Sequence, residues 1–234
     1  MTRTAVLVSG GGANLQSILD LYYFGEIPEL ELAAVISSNP DAYALERARS
    51  AGVPAYVVER GVFPNNASFC NALLGKLKDL DIELVVCAGF AERLSYSVLH
   101  YYQNRVINVQ PALFPAFCGP EGFDPMGALE RTLGSGVRIT GATAYFMTED
   151  DIGCGPIIVQ KALEVQQNDT IATLSDRIMR ECEWKILPEA VSLFCAGLLL
   201  VCRAVSLCPA SWQSEIPGGR WRSPAAWSGA RLRG

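Results

Sequence analysis

The stretch TAVLVSGGGANLQSILDLYY, residues 4–23, decides the fold. Its first part, TAVLVSG (4–10), is an apolar run ending in glycine and reads as a buried strand. NLQSILDLYY (14–23) has the i, i+3, i+4 spacing of an amphipathic helix. Between them Gly10, Gly11 and Gly12 let backbone N–H groups approach a ligand, with the helix dipole behind them to favour an anion. Phosphate binding is one reading of this loop and a plain tight turn is the other. A dinucleotide fingerprint would carry a further glycine at position 15, where Leu15 stands, and no acid is placed convincingly for a ribose. The loop therefore suits a monophosphate better than a nicotinamide dinucleotide.

The alternation continues downstream. LAAVISS (32–38), PAYVVE (54–59), ELVVCAGF (83–90) and VINVQ (106–110) read as strands, with helices near ALERARSAG (44–52) and SFCNALLGKLKDL (68–80). Strands separated by helical segments predict an α/β protein, with a mostly parallel central sheet flanked by helices. After a proline-rich turn the texture changes. VRITGATAYFMT (137–148) and GPIIVQKALEV (155–165) read as two longer strands joined by EDDIGCG, and a helix from about Thr170 to Phe194 closes the domain, capped by Asp169 or Thr170.

Composition narrows the partners. Half of the 234 residues are hydrophobic, 18% are charged and the net charge is -5, which describes a globular body with no electrostatic footprint for nucleic acid. The eight cysteines form no CxxC pair and read as reduced thiols, so neither a disulfide framework nor a metal site is expected. No basic leader precedes the first strand, and the apolar run at 198–201 is too short to span a bilayer, so a soluble cytoplasmic protein is expected. From about Arg203 the texture shifts to Arg, Trp, Pro, Gly and Ser without period. Residues 1–200 are expected to form one domain and 201–234 a terminus without a core of its own. A basic, aromatic arm for nucleic acid or membrane is the functional alternative for that tail.

Four segments, in this order and at this spacing, resemble the phosphoribosylglycinamide formyltransferase family: SGGGANLQSIL (9–19), AGFAERLS (88–95), INVQPALFPAFCG (107–119) and GCGPIIVQ (153–160). The resemblance covers roughly residues 1–200. It implies a Rossmann-like formyltransferase fold in which the amine of glycinamide ribonucleotide, or a related ribose phosphate, attacks the formyl carbon of 10-formyltetrahydrofolate, in a monomer or homodimer. That chemistry needs a hydrogen-bond donor for a developing oxyanion and a proton-handling group, within about 3 Å of the reacting atoms.

The family's asparagine and histidine, in Asn-x-His-Pro, and its aspartate, in Asp-Gly-Gly-Pro, serve those roles. By the same resemblance Asn108 matches the asparagine, Gln110 stands at the histidine position and Gly153 at the aspartate position. A glutamine amide donates a hydrogen bond but does not exchange protons near neutral pH. Gly12, Ala13, Asn14 and Glu183 match the substrate-binding positions, with Ala13 in place of a serine and Glu183 at the glutamate that contacts ribose hydroxyls. Phe90, Leu94 and the loop carrying Asp150 and Asp151 are expected to receive the folate. Asn66 stands where the family often has an arginine. A repair of the missing groups by Asp150, Asp151 or the single histidine, His100, is disfavoured: acidic loop residues are usually solvated, and His100 reads as a surface or half-buried helix residue. Binding groups survive better than chemical ones, so weak or lost turnover is expected, with a non-catalytic ribose-phosphate or folate-binding protein as the alternative.

Overall fold

Each strand residue of the amino-terminal half must choose a face, and the choice sorts the helices. In the computed structural model, which describes residues 1–117, 125–148, 155–200 and 208–209, strand β1 (Thr2–Val8) is followed by helix α1 (Ala13–Tyr23), β2 (Leu30–Ser37) and α2 (Ala44–Ser50). β3 (Ala55–Val57), α3 (Asn66–Asp79), β4 (Leu84–Cys87), α4 (Tyr96–Tyr101) and β5 (Val106–Gln110) complete this half. Val6 and Val8 of β1 pack on Leu15, Ile18 and Leu19 of α1, whereas Ala5 and Leu7 pack on Phe69, Leu73 and Leu77 of α3. Alternation along one strand thus buries two helix layers, each large apolar side chain contributing about 1.5–3 kcal/mol.

The seven strands form one sheet in the order β3-β2-β1-β4-β5-β6-β7. β1 to β5 are mutually parallel, and β6 (Ile139–Phe146) and β7 (Ile157–Glu164) add antiparallel at the β5 edge. The order reverses between β1 and β4, which makes the carboxyl ends of those two strands the switch point where such sheets bind ligands. Leu15, where the dinucleotide pattern wants glycine, is fully buried in the core beneath this point.

The covering helix differs from the expected single span. α6 (Ile171–Ile178) starts at Thr170, whose side chain forms a reciprocal cap with Thr173, and α7 (Trp184–Cys195) ends the rod. Between them Met179–Glu183 is a π turn. Leu174, Ile178, Cys182 and Ile186 are buried at a spacing of four residues, wider than an α-helix keeps on one face, and the looser turn absorbs the difference. A further helix, α5 (Pro125–Gly134), begins with proline at its first position and was not among the expected elements. The strand expected at 54–59 is shorter, at Ala55–Val57.

Residues 201–234 lie outside the described residues except Cys208–Pro209 (β9), which pair antiparallel with Leu199–Leu200 (β8). Among the described residues no helix is long and apolar enough to cross a membrane, and Cys70, Cys87, Cys182 and Cys195 are free thiols.

One tight approach fixes the β6–β7 corner. A Cβ at Gly155 would stand 1.7 Å from the Phe146 carbonyl oxygen, while one at Gly10 would meet nothing within 4 Å. Gly155→Ala is expected to lower stability by more than the roughly 1–3 kcal/mol typical of overpacking, and Gly10→Ala to leave it close to the parent value. Urea midpoints for the two variants check this.

Candidate active site

The site is assembled from loops at the carboxyl edge of the parallel strands. Ser9, at the end of β1, ties three of them together: its hydroxyl lies 2.7 Å from the Ser38 hydroxyl after β2, it accepts from the Ala91 N–H after β4 at 2.9 Å, and its own N–H donates to the Gly89 carbonyl. Gly12 caps α1 in the left-handed region, at φ +74°, with no side-chain cap on the helix. The first N–H groups of α1 are therefore left for something other than a capping side chain.

Asn14, on the first turn of α1, donates from Nδ2 to Glu183 Oε2 at 2.7 Å, bridging residues far apart in the chain. The π turn brings Glu183 there: Cys182 and Glu183 are consecutive, yet both are buried. Burial pushes the Glu183 carboxyl above its ordinary range, and the Asn14 hydrogen bond opposes that rise. Asn14 Oδ1 is itself buried and has no partner, an acceptor held ready beside the carboxylate. Gly12, Ala13, Asn14 and Glu183 are thus brought together at one end of α1.

At the β5 edge, Asn108 and Gln110 point to the same face of the sheet, two residues apart. Asn108 is half-buried, sits opposite Tyr145 in the β5–β6 register, and donates from Nδ2 to the Tyr145 hydroxyl at 2.9 Å. Gln110 is 3% exposed and opposite Thr143. The Thr143 hydroxyl donates to the Ala112 carbonyl and accepts from the Phe114 N–H and from Gln160 Nε2, which fixes the chain after Gln110. Cys87, paired with Asn108 across β4–β5, is no nucleophile: burial pushes its thiol up to about 12. Tyr145 was not singled out from the sequence, because only strand register reveals that it faces Asn108.

The loop after β4 carries the apolar side of the site. Leu94 is buried and Phe90 half-buried, its ring stacked on Phe69 at 6.3 Å, with Phe117 on the same cluster. Asn66 holds this loop instead of facing a ligand, donating from Nδ2 to the Arg93 carbonyl at 2.9 Å. Arg60 pairs with Glu92 at 3.5 Å. His100 is exposed on α4 and stacked on Tyr96. Asp150, Asp151 and Gly153 lie outside the described residues.

A Rossmann-like sheet with a glycine loop at its switch point, an amide at the end of β5 and a carboxylate brought to the loop by the covering helix defines an α/β protein whose polar groups gather at the carboxyl edge of its parallel strands. The formyl transferase family pattern matches residues 2–191. The chain is 33% identical over 199 residues to phosphoribosylglycinamide formyltransferase of Haemophilus influenzae, covering 85% of this chain and 90% of that protein. It is 34% identical to the bovine (Bos taurus) trifunctional purine biosynthetic protein adenosine-3 over 91% of its own length, but it spans only 20% of that relative. The crystal structure of glycinamide ribonucleotide transformylase 1 from Symbiobacterium toebii superposes with a TM-score of 0.81 at 39% identity, covering 89% of this chain and 94% of that one. The chain belongs to the formyl transferase family, whose members use 10-formyltetrahydrofolate.

The raised Glu183 carboxyl gives a signed pH dependence. Its folded value lies above the unfolded one, so the native state binds more protons and stability falls as pH rises through that window. Glu183→Gln removes the buried charge. Its melting temperature is expected to match the parent near pH 4 and to exceed it progressively towards pH 7, by roughly 2–4 °C for each kcal/mol relieved. A thermal-melt series across that range checks the sign.

Proposed function

We propose that this chain is a phosphoribosylglycinamide formyltransferase of de novo purine synthesis, taking formyl from 10-formyltetrahydrofolate to glycinamide ribonucleotide at a reduced rate. The observation that carries the reading is the Asn14–Glu183 hydrogen bond, which joins the glycine loop to the covering helix. In this reading the loop from Gly12 to Asn14 takes the phosphate, and Glu183 accepts from the ribose hydroxyls. The buried, unpartnered Asn14 Oδ1 suits a further hydroxyl donor. The half-buried Phe90 and Phe117, on one apolar cluster with Leu94, suit a flat heteroaromatic ring. Asp150 and Asp151 are proposed to complete that side.

The bound folate supplies the formyl carbon. The reaction exchanges one C–N bond for another and moves one proton from the amine to the folate nitrogen. Asn108 gives one N–H to Tyr145 and keeps its second for the formyl oxygen as charge develops there. Tyr145 holds that amide in place. Gln110 occupies the proton-handling position with a group that does not exchange protons, and Gly153 replaces the orienting carboxylate. Losing positioned acid–base catalysis removes about 10²–10⁴ in rate. The buried Gln110 amide also favours a second reading, a ribose-phosphate or folate-binding protein without turnover.

Formyl transfer by the purified protein, beside a Gln110→His, Gly153→Asp double variant, separates the two. Slow transfer that rises in the double variant and is lost in Asn108→Ala supports the enzyme. Transfer only in the double variant supports the binding protein, and no transfer by either sinks the purine assignment. Tyr145→Phe keeps the ring and removes one hydrogen bond. Its kcat is expected to fall about tenfold with KM for glycinamide ribonucleotide unchanged, as steady-state kinetics would show.

A further inference from the structure

We infer that helix α2 presets the glycine loop as a phosphate cradle, and that Arg47 is the positioning residue that holds it. The inference rests on the ribose-phosphate reading above and adds to it the element that shapes the site.

The argument is one of peptide geometry. A trans peptide points its carbonyl and the following N–H in opposite directions, so fixing one fixes the other. Three consecutive carbonyls of the loop are taken. Gly10 accepts from the Ala44 N–H at 3.0 Å, at the start of α2, and Gly12 accepts from the Gln16 N–H at 2.9 Å, within α1. Gly11 accepts from Arg47 Nε at 2.8 Å. The N–H groups of Gly11 and Gly12 are therefore turned away from α2, and that of Ala13 points out of the start of α1. Successive N–H groups aimed to one side form an anion-binding concavity.

Space agrees with direction. A Cβ at Gly12 would lie 2.8 Å from the Ala44 Cβ, so α2 is pressed against the loop on one side. At Gly10 and Gly11 an added Cβ would meet nothing within 4 Å. One side of the loop is closed by α2 and the other is open.

Arg47 is itself braced. Nη1 donates to Gln16 Oε1 at 2.8 Å, and the guanidinium lies over the Tyr43 ring, 5.2 Å from its centroid. One planar fork thus spans the loop and the second turn of α1, which a lysine ammonium on a flexible stem does not reproduce.

Titration calorimetry of the full chain with ribose 5-phosphate, with ribose, and with a folate analogue tests this, using the parent protein, Arg47→Ala and Arg47→Lys. Expected is a loss of at least about tenfold in ribose 5-phosphate affinity in both variants, with the folate analogue bound as by the parent and its binding serving as the check on folding. Unchanged ribose 5-phosphate affinity in Arg47→Ala overturns the inference alone. Parent-like affinity in Arg47→Lys reduces Arg47 to a point charge and overturns the positioning role. A parent protein that binds ribose 5-phosphate no better than ribose overturns both the inference and the reading beneath it.

Discussion

Gly12 is constrained twice, by a backbone angle of +74° and by the Ala44 methyl 2.8 Å from where its own Cβ would be. The left-handed turn lets β1 reverse into α1 without a longer loop, and the close approach locks α2 against the turn. From these contacts the rest of the edge follows. The loop carbonyls find donors on α1 and α2, Ser9 links the loops after β1, β2 and β4, and Asn14 is set on the first turn of α1 to meet Glu183 from the far end of the chain. A larger residue at position 12 would disturb the sheet's switch point and the glycine loop together.

The two halves of the site differ in chemistry and not in how firmly they are held. On the α1 side the buried Glu183 is held by Asn14, and the unpartnered Oδ1 of Asn14 is the acceptor that the proposed reading gives to a ligand hydroxyl. On the β5 side the scaffold is equally well made. Thr143 and Gln160 tie down the chain from Ala112 to Phe114, and Tyr145 fixes the Asn108 amide. The change there is chemical, since Gln110 offers hydrogen bonds where transfer of a proton is wanted. A rigid edge with an inert group suits a protein whose binding has outlasted its rate, and slow turnover is the proposed consequence.

Much of this was legible in the residues. Alternating apolar runs and helical periods located the parallel strands because helix layers cover both faces of the sheet, with only the edge strand β3 half-exposed, and the glycine turn marked the switch point. Other features depend on partners distant in sequence. Tyr145 matters through its register with Asn108, and Arg47 through a carbonyl 36 residues away. The π turn leaves only a weak local signal, a spacing of four kept from Leu174 to Ile186, of which any single step is also found in an ordinary helix. α5 carries Pro125 and Gly127 in its first turn, both weak helix formers, although proline is well tolerated at a first helical position.

The central claim is that the glycine loop and Glu183 form one ribose-phosphate site at the edge that bears Asn108. A crystal structure of the protein with glycinamide ribonucleotide tests it most directly. The expected result is a phosphate on the N–H groups of residues 11–13, with ribose hydroxyls on Glu183 and the amine directed towards Asn108. A ligand seated elsewhere, or a phosphate on the loop with the ribose turned away from Glu183, would contradict it.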